Sequence, residues 1–326
     1  MQAIVIEGGP EATHLQQRDV ATPQPGPADL VVDVRASALN RADLRRAASH
    51  YAGSESQQGP AVGGLEMAGE VTAIGTAVSG FAPGDRVMAM TGASWAQQVR
   101  LDHRLAIPVP SGMTWREAAA VPVSFVTAHD ALVSAAGLRP GESVLVRGAS
   151  SAAGLAAIQV ARELGAAVVL GTTNSPAKLD LLESLGCQPL LADAGPVAGV
   201  VRDRTEGRGV DIVIDIVGAG TVQDNIDAAT ITGRIVCLGR LGGTEGTFNL
   251  DEFSRKRIHM KGVTFRTRSF DERVAAVTLF REQMLPMLAS GVLRPVIDRA
   301  FAFTEVNEAQ TYMRENRNFG KVIITW

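Results

Sequence analysis

A chain of 326 residues, 46% hydrophobic and 20% charged, exceeds the size at which one hydrophobic core keeps growing, so two domains are expected. Its formal net charge of −3, with both signs interspersed, leaves no electrostatic footprint for nucleic acid, and no apolar run reaches the ~18 residues of a membrane span. Two cysteines exclude a disulfide framework and a four-cysteine zinc site, and none of the five histidines pairs with another at metal-ligand spacing.

The opening "MQAIVIEGGPEA" carries no basic leader before its short apolar run, so a soluble, cytoplasmic protein is expected. Up to residue 120 the chain reads as β-rich. "LVVDVRASAL" from Leu30, "MAGEVTAIG" from Met67, "RVMAM" from Arg86 and "WAQQVRL" from Trp95 are separated by glycine- and proline-containing turns, which predicts a compact, partly open barrel. A helical run from about Val123 to Ala136 leads out of it.

From Val144 strands and helices alternate. Val144, Leu145 and Val146 form an apolar run too short for a helix and suited to a strand covered on both faces. Leu155, Ile158, Ala161 and Leu164 then recur at helical spacing. Between them Ala149, Ser151 and Gly154 fill the places of G-x-G-x-x-G, a weak signal alone that gains weight from the strand before and the helix after. The amides of Ser151, Ala152 and Ala153 are expected to face a pyrophosphate at the helix start, with the Ser151 hydroxyl as a further donor. The same residues also allow an ordinary tight strand-to-helix turn.

Further strands are expected at Val168 to Gly171, Leu190-Leu191, "DIVIDIVG" from Asp211 and "RIVCLG" from Arg234, which together make a doubly wound parallel sheet. Where an NAD site places a carboxylate, about 20 residues past the fingerprint, this chain reads "GTTNSPAKLD". Thr172, Asn174 and Lys178 there favour a 2′-phosphate and hence NADP, although Ser175 and Pro176 also read as an ordinary helix start. The strand around "MKGVTF" is expected to be a sheet edge, which is a liability unless a loop covers it or a second copy of the chain pairs with it. The last segment, with "VIDRAFAF" and "GKVIITW", is expected to return to the first domain. The division is then residues 1–121, 122–263 and a return segment 264–326.

These residues resemble the medium-chain dehydrogenase/reductase superfamily, and within it the zinc-free quinone oxidoreductase branch. The likeness rests on "ASALNRADL" from Ala36, "GLEMAGEVTAIG" from Gly64, "FAPGDRV" from Phe81, "AAAVPVSFVTAHDAL" from Ala118, "GRIVCLG" from Gly233 and the closing "PVIDRAFAFTEVNEAQTYMRENRNFGKVII" from Pro295. The closing motif and "ALNRADL" are most similar to stress-inducible NADPH:quinone reductases. The resemblance implies an α/β fold, a Rossmann sheet plus a GroES-like barrel. Zinc relatives carry a cysteine where this chain has Asn40 and a histidine where it has Leu65, so no metal is expected and reduction of an electron-poor acceptor is favoured over alcohol oxidation.

By the same resemblance Tyr51 stacks on the nicotinamide or acceptor, Asn40 hydrogen-bonds cofactor or substrate, and Thr127 meets the nicotinamide ribose. Cofactor contacts are further implied at Val217, Gly218, Leu238, Gly239, Phe265, Arg266 and Asn318. Asp193 stands where relatives often have a tyrosine, and a carboxylate beside a 2′-phosphate repels it, which leaves NAD as a tolerated alternative. The expected activity is hydride transfer from NADPH to a quinone in a homodimer. Its alternatives are a reductase of activated C=C bonds, on enones or enoyl groups, and a non-catalytic NADPH-binding sensor or structural protein.

Overall fold

The computed structural model describes residues 1–7, 14–44, 61–192 and 195–326. In chain order the strands are β1 (Gln2–Glu7), β2 (His14–Asp19), β3 (Asp29–Leu39), β4 (Glu66–Ile74), β5 (Arg86–Met90), β6 (Gln98–Asp102), β7 (Ile107–Pro108), β8 (Ser143–Arg147), β9 (Val168–Thr173), β10 (Gln188–Leu191), β11 (Val210–Asp215), β12 (Ala229–Cys237), β13 (His259–Gly262), β14 (Ile297–Ala302) and β15 (Lys321–Thr325). Contacts divide the chain into one unit of Met1–Val123 with Arg268–Trp326 and a second of Ser124–Thr267. The return of the C-terminal segment to the first unit follows from β15, which pairs antiparallel with β3.

In the second unit the order β10-β9-β8-β11-β12-β13, with every pairing parallel, is a doubly wound sheet. The chain builds outward from β8 to β10, then crosses to β11 and builds the other way, so the topological switch point lies between β8 and β11. All five residues of β8 are buried, as a strand covered on both faces requires. Leu145, Leu170, Val201, Val213, Ile226 and Ile235 pack in one core cluster there, each contributing about 1.5–3 kcal/mol relative to exposure. β13 closes the sheet as an edge strand whose four residues are all exposed.

In the first unit a sheet runs β14-β15-β3-β4-β5-β7, with β6 also on β3. The 11-residue β3 serves two neighbours in succession: Asp29–Asp33 meet β6 and Ala36–Leu39 meet β15. β4 runs along its other side. The antiparallel pair β1-β2 has no counterpart among the expected strands, because the apolar part of "MQAIVIEGGPEA" is short.

The expected helix from Val123 to Ala136 is wider than an α-helix over most of its length. Pro122–Val126 and Asp130–Ala135 are π-helical on either side of Thr127–His129, and the Ala136 amide donates to the Ala131 carbonyl, a five-residue step. Hydrophobic spacing alone does not distinguish the two ladders. No helix among the described residues is long and apolar enough to cross a membrane.

Candidate active site

The carboxyl ends of β8, β9, β11 and β12 form the first of two clusters. After β8 the chain turns at Gly148, φ +73°, and enters the helix Ala152–Glu163 with Ser151 as its N-cap. The Ser151 hydroxyl accepts from the Gly154 amide at 3.1 Å and donates to the Gly148 carbonyl at 2.8 Å. This corrects the expectation that it donates outward: its proton is already committed to the turn. The Ser151 amide is likewise used, on the Gly148 carbonyl at 3.1 Å. Ala152 and Ala153 are left as the open amides at the positive end of the helix.

Gly154 has a steric cause. A Cβ there would stand 2.6 Å from the carbonyl oxygens of both Gly148 and Ala149, so the helix approaches the turn only because this residue lacks one.

Thr172 does not face outward either, so its expected contact with the nucleotide has no exposed side chain to make it. It is 2% exposed; its hydroxyl accepts from the Gly148 amide at 3.1 Å and its carbonyl from the Ala149 amide at 2.8 Å, so it holds the phosphate turn in shape. Period-two alternation along β9 turns its neighbour the other way, and the Thr173 hydroxyl donates to that of Ser150 at 3.2 Å. Beyond it Asn174 is exposed and Lys178 half-buried. Ser175 precedes the short helix Pro176–Lys178 but makes no side-chain cap. From Thr172 to Lys178 no residue carries a carboxylate.

Asp215, missed by the sequence reading, organises the opposite wall. Its Oδ1 accepts from the amides of Val217 and Gly218 at 2.8 and 3.0 Å, and its Oδ2 from the Thr221 hydroxyl and the Asn225 amide group at 3.1 and 2.9 Å. Its backbone carbonyl accepts from Leu238 and Gly239. One buried aspartate thus shapes both turns on which Val217, Gly218, Leu238 and Gly239 lie. The signal was an Asp at the last position of an apolar strand before a glycine turn. Thr127, Phe265 and Arg266 belong to the same unit.

Of the two thiols, burial pushes Cys187 up to about 12. Cys237 is raised chiefly by burial and then by the Asp215 charge.

The second cluster is in the first unit, where strand register brings three distant residues to one end of the sheet. Val322 is paired with Leu39, and Met67 with Ser37, which sets Lys321, Asn40 and Glu66 beside one another. Lys321 and Glu66 are 2% and 0% exposed. The Lys321 ammonium donates to Glu66 Oε1 and, at 2.8 Å, to Asn40 Oδ1. Asn40 Nδ2 donates to Glu66 Oε1 at 2.9 Å, and Glu66 Oε2 accepts from the Val123 amide at 2.7 Å. Asp43 accepts from the Asn40 backbone amide at 2.7 Å.

Sequence reasoning singled out Asn40 but neither charged partner. The available signal was a carboxylate opening "EMAGEV" and a lysine opening "KVIIT", each the first residue of its strand. Asn318 is in this unit and donates to the Gly320 carbonyl at 2.9 Å. Tyr51 and Asp193 lie outside the described residues.

Comparison with known proteins gives these clusters their family. Residues 26–131 match the model of the alcohol dehydrogenase GroES-like domain and residues 152–281 that of the zinc-binding dehydrogenase domain. The chain is 30% identical to the human synaptic vesicle membrane protein VAT-1 homolog, over 97% of this chain and 84% of that protein. It is 32% identical to bovine quinone oxidoreductase-like protein 2, over 93% and 87% respectively. It also matches the spectinabilin polyketide synthase protein NorB of Streptomyces orinoci at 35% identity, over 92% of this chain but only 13% of that much longer protein. Among solved structures, a Pseudomonas syringae quinone oxidoreductase superposes with a TM-score of 0.87 at 26% identity, covering 100% of both chains. The CurK enoyl reductase does so with 0.84 at 25%, covering 100% and 99%.

The chain belongs to the medium-chain dehydrogenase/reductase superfamily, in its quinone oxidoreductase branch, with a Rossmann-type domain and a GroES-like domain. It is an oxidoreductase of that family and binds a nicotinamide cofactor. The open amides of Ala152 and Ala153 and the close helix approach at Gly154 fit the diphosphate of such a cofactor. Zinc fits less well. Among the described residues no group of three or more His, Cys, Asp or Glu could hold a metal ion, and the carboxylate beside Asn40 already receives the Lys321 ammonium.

Proposed function

We propose that the protein is an NADPH-dependent quinone oxidoreductase that works without a metal. The observation that carries the nucleotide half is the turn from Gly148 to Gly154, which presents two unpaired amides at the start of a 12-residue helix beside the switch point of the sheet. The preference for NADPH rests on the end of β9, where Asn174 and Lys178 stand in place of the carboxylate that would accept from a 2′-hydroxyl. A bound reduced nicotinamide supplies hydride. The residues of the chain bind and orient it: Ala152 and Ala153 at the diphosphate, Lys178 at the 2′-phosphate, and the turns held by Asp215 along its length.

Reduction of a quinone or an enone places negative charge on the acceptor oxygen, and a fixed donor there lowers the barrier. Asn40 takes that role, and Tyr51 stacks on the ring. A homodimer built through the exposed edge of β13 and a place in the cytoplasm, which holds the reduced nucleotide, complete the reading. Reduction of activated C=C bonds is the second reading. It is favoured by the likeness to the CurK enoyl reductase and to a polyketide synthase.

Fluorescence titration with NADPH and NADH in parallel tests the cofactor; a tenfold preference for NADH refutes it. NADPH oxidation with 1,2-naphthoquinone, benzoquinone and a short enone, run side by side, separates the two acceptors, and turnover of the enone alone overturns the quinone assignment.

A further inference from the structure

From the buried cluster around Asn40 we infer that Lys321 and Glu66 are positioning residues, which lock the Asn40 side chain so that one of its N–H groups is presented to the oxygen of the acceptor. The inference rests on the proposed role of Asn40 and adds what fixes it. An ammonium only donates and a carboxylate only accepts, so the orientation of the amide between them is dictated by chemistry. Oδ1 faces Lys321 at 2.8 Å and Nδ2 faces Glu66 at 2.9 Å; the flipped amide would set a donor against a donor and an acceptor against an acceptor.

That arrangement uses one of the two Nδ2 hydrogens. The other has only the Ala38 carbonyl at 3.4 Å, beyond the usual range for N–H···O, and Asn40 is partly exposed while both its charged partners are buried. A cation on Oδ1 also polarises the amide and strengthens its N–H as a donor.

The cluster is an expensive way to fill space. Replacing a buried ion pair by apolar side chains of like volume is often neutral or stabilising, so retaining Lys321 and Glu66 calls for a task that apolar side chains cannot perform. Holding an amide in one of two near-isosteric orientations is such a task.

The test is a mutant cycle in the full chain. Lys321→Met alone strands a buried carboxylate and can simply fail to fold, so the working variant is Lys321→Met with Glu66→Gln, compared with Asn40→Ala and with all three changes together. The double variant is expected to keep its thermal midpoint within a few degrees and its Kd for NADPH, while kcat for the acceptor falls by about 10²-fold, the size of a lost oxyanion donor. Adding Asn40→Ala should then cost nothing more, because the unlocked amide has already lost its function. Packing alone would instead lower kcat of the double variant little and leave the Asn40→Ala loss to multiply with it. Either of those results overturns the inference.

If the wild-type protein reduces no acceptor, the proposed function fails and the lock is judged separately. The Asn40 side-chain amide, assigned in NMR spectra by its loss in Asn40→Ala, should exchange one hydrogen slowly in the wild type and both quickly in the double variant. Equal exchange in the two proteins refutes the lock whatever the activity.

Discussion

Gly154→Ala isolates the steric argument for the nucleotide turn. The new Cβ would lie 2.6 Å from two backbone oxygens, those of Gly148 and Ala149, and 2.7 Å from the Ala149 Cα. None is the flexible end of a side chain, so the helix start must move by about 0.4 Å or more to bring the contacts to 3.0 Å. Overpacking of this kind costs about 1–3 kcal/mol, offset by up to about 1 kcal/mol from the better helix propensity of alanine. A net loss of roughly 1–2 kcal/mol lowers the midpoint of a domain this size by about 2–8 °C. Gly199 supplies the opposite case. It also lies in a helix, Ala198–Asp203, but is exposed, and a Cβ there meets nothing within 4 Å, so Gly199→Ala should stabilise by about 0.4–1 kcal/mol. Differential scanning fluorimetry of both variants, with NADPH titration of the first, reads the contrast. A Gly154→Ala protein as stable as wild type with unaltered nucleotide binding, or a destabilised Gly199→Ala, would refute the reasoning.

The other expectations concern charge and ionisation. Lys178→Ala should weaken NADPH by about 10-fold or more, the worth of a hydrogen bond between charged groups, and leave NADH unchanged; equal losses for both nucleotides would remove Lys178 from the 2′-phosphate. Cys187, with its thiol pushed up to about 12 by burial, should react with iodoacetamide more slowly than an ordinary thiol, by about tenfold or more, until the protein is unfolded, and peptide mass spectrometry detecting rapid native alkylation would contradict this. The side-chain hydrogen bonds from Arg104 hold the Asp102 carboxyl below the usual range. A depressed native value means that the stabilisation is complete above the ordinary carboxylate pKa and is lost as pH falls through the depressed one. The stability difference between wild type and Asp102→Asn should therefore stay constant from pH 7 to about 5 and shrink below it; a difference independent of pH down to 3 would disprove the assignment.

How far the sequence is legible here depends on the range over which each signal acts. β8, β9 and β11 were readable because a strand buried on both faces is apolar over most of its length, a property of consecutive residues, and of β12 only the apolar end after Arg234 was readable. Gly154 was readable for the same reason: helix and turn lie within a few positions of it. The inward turn of the Ser151 hydroxyl and of Thr172 was not, because a hydroxyl finds its partner by competition among nearby amides and carbonyls that composition does not rank. Lys321 and Glu66 mark the limit from the other side. Each reads alone as an ordinary charged residue at a strand end, and only the pairings of β3 with β15 and β4 place them together across an |i−j| of 255. Register is set by the whole sheet, so the electrostatic surroundings of Asn40 follow from contacts that no local pattern records, while Asn40 itself is singled out only by the family resemblance of its segment. Charged residues at the heads of strands therefore gain meaning only once their strands are paired. In this chain that step separates a candidate donor from the pair of buried charges that hold it.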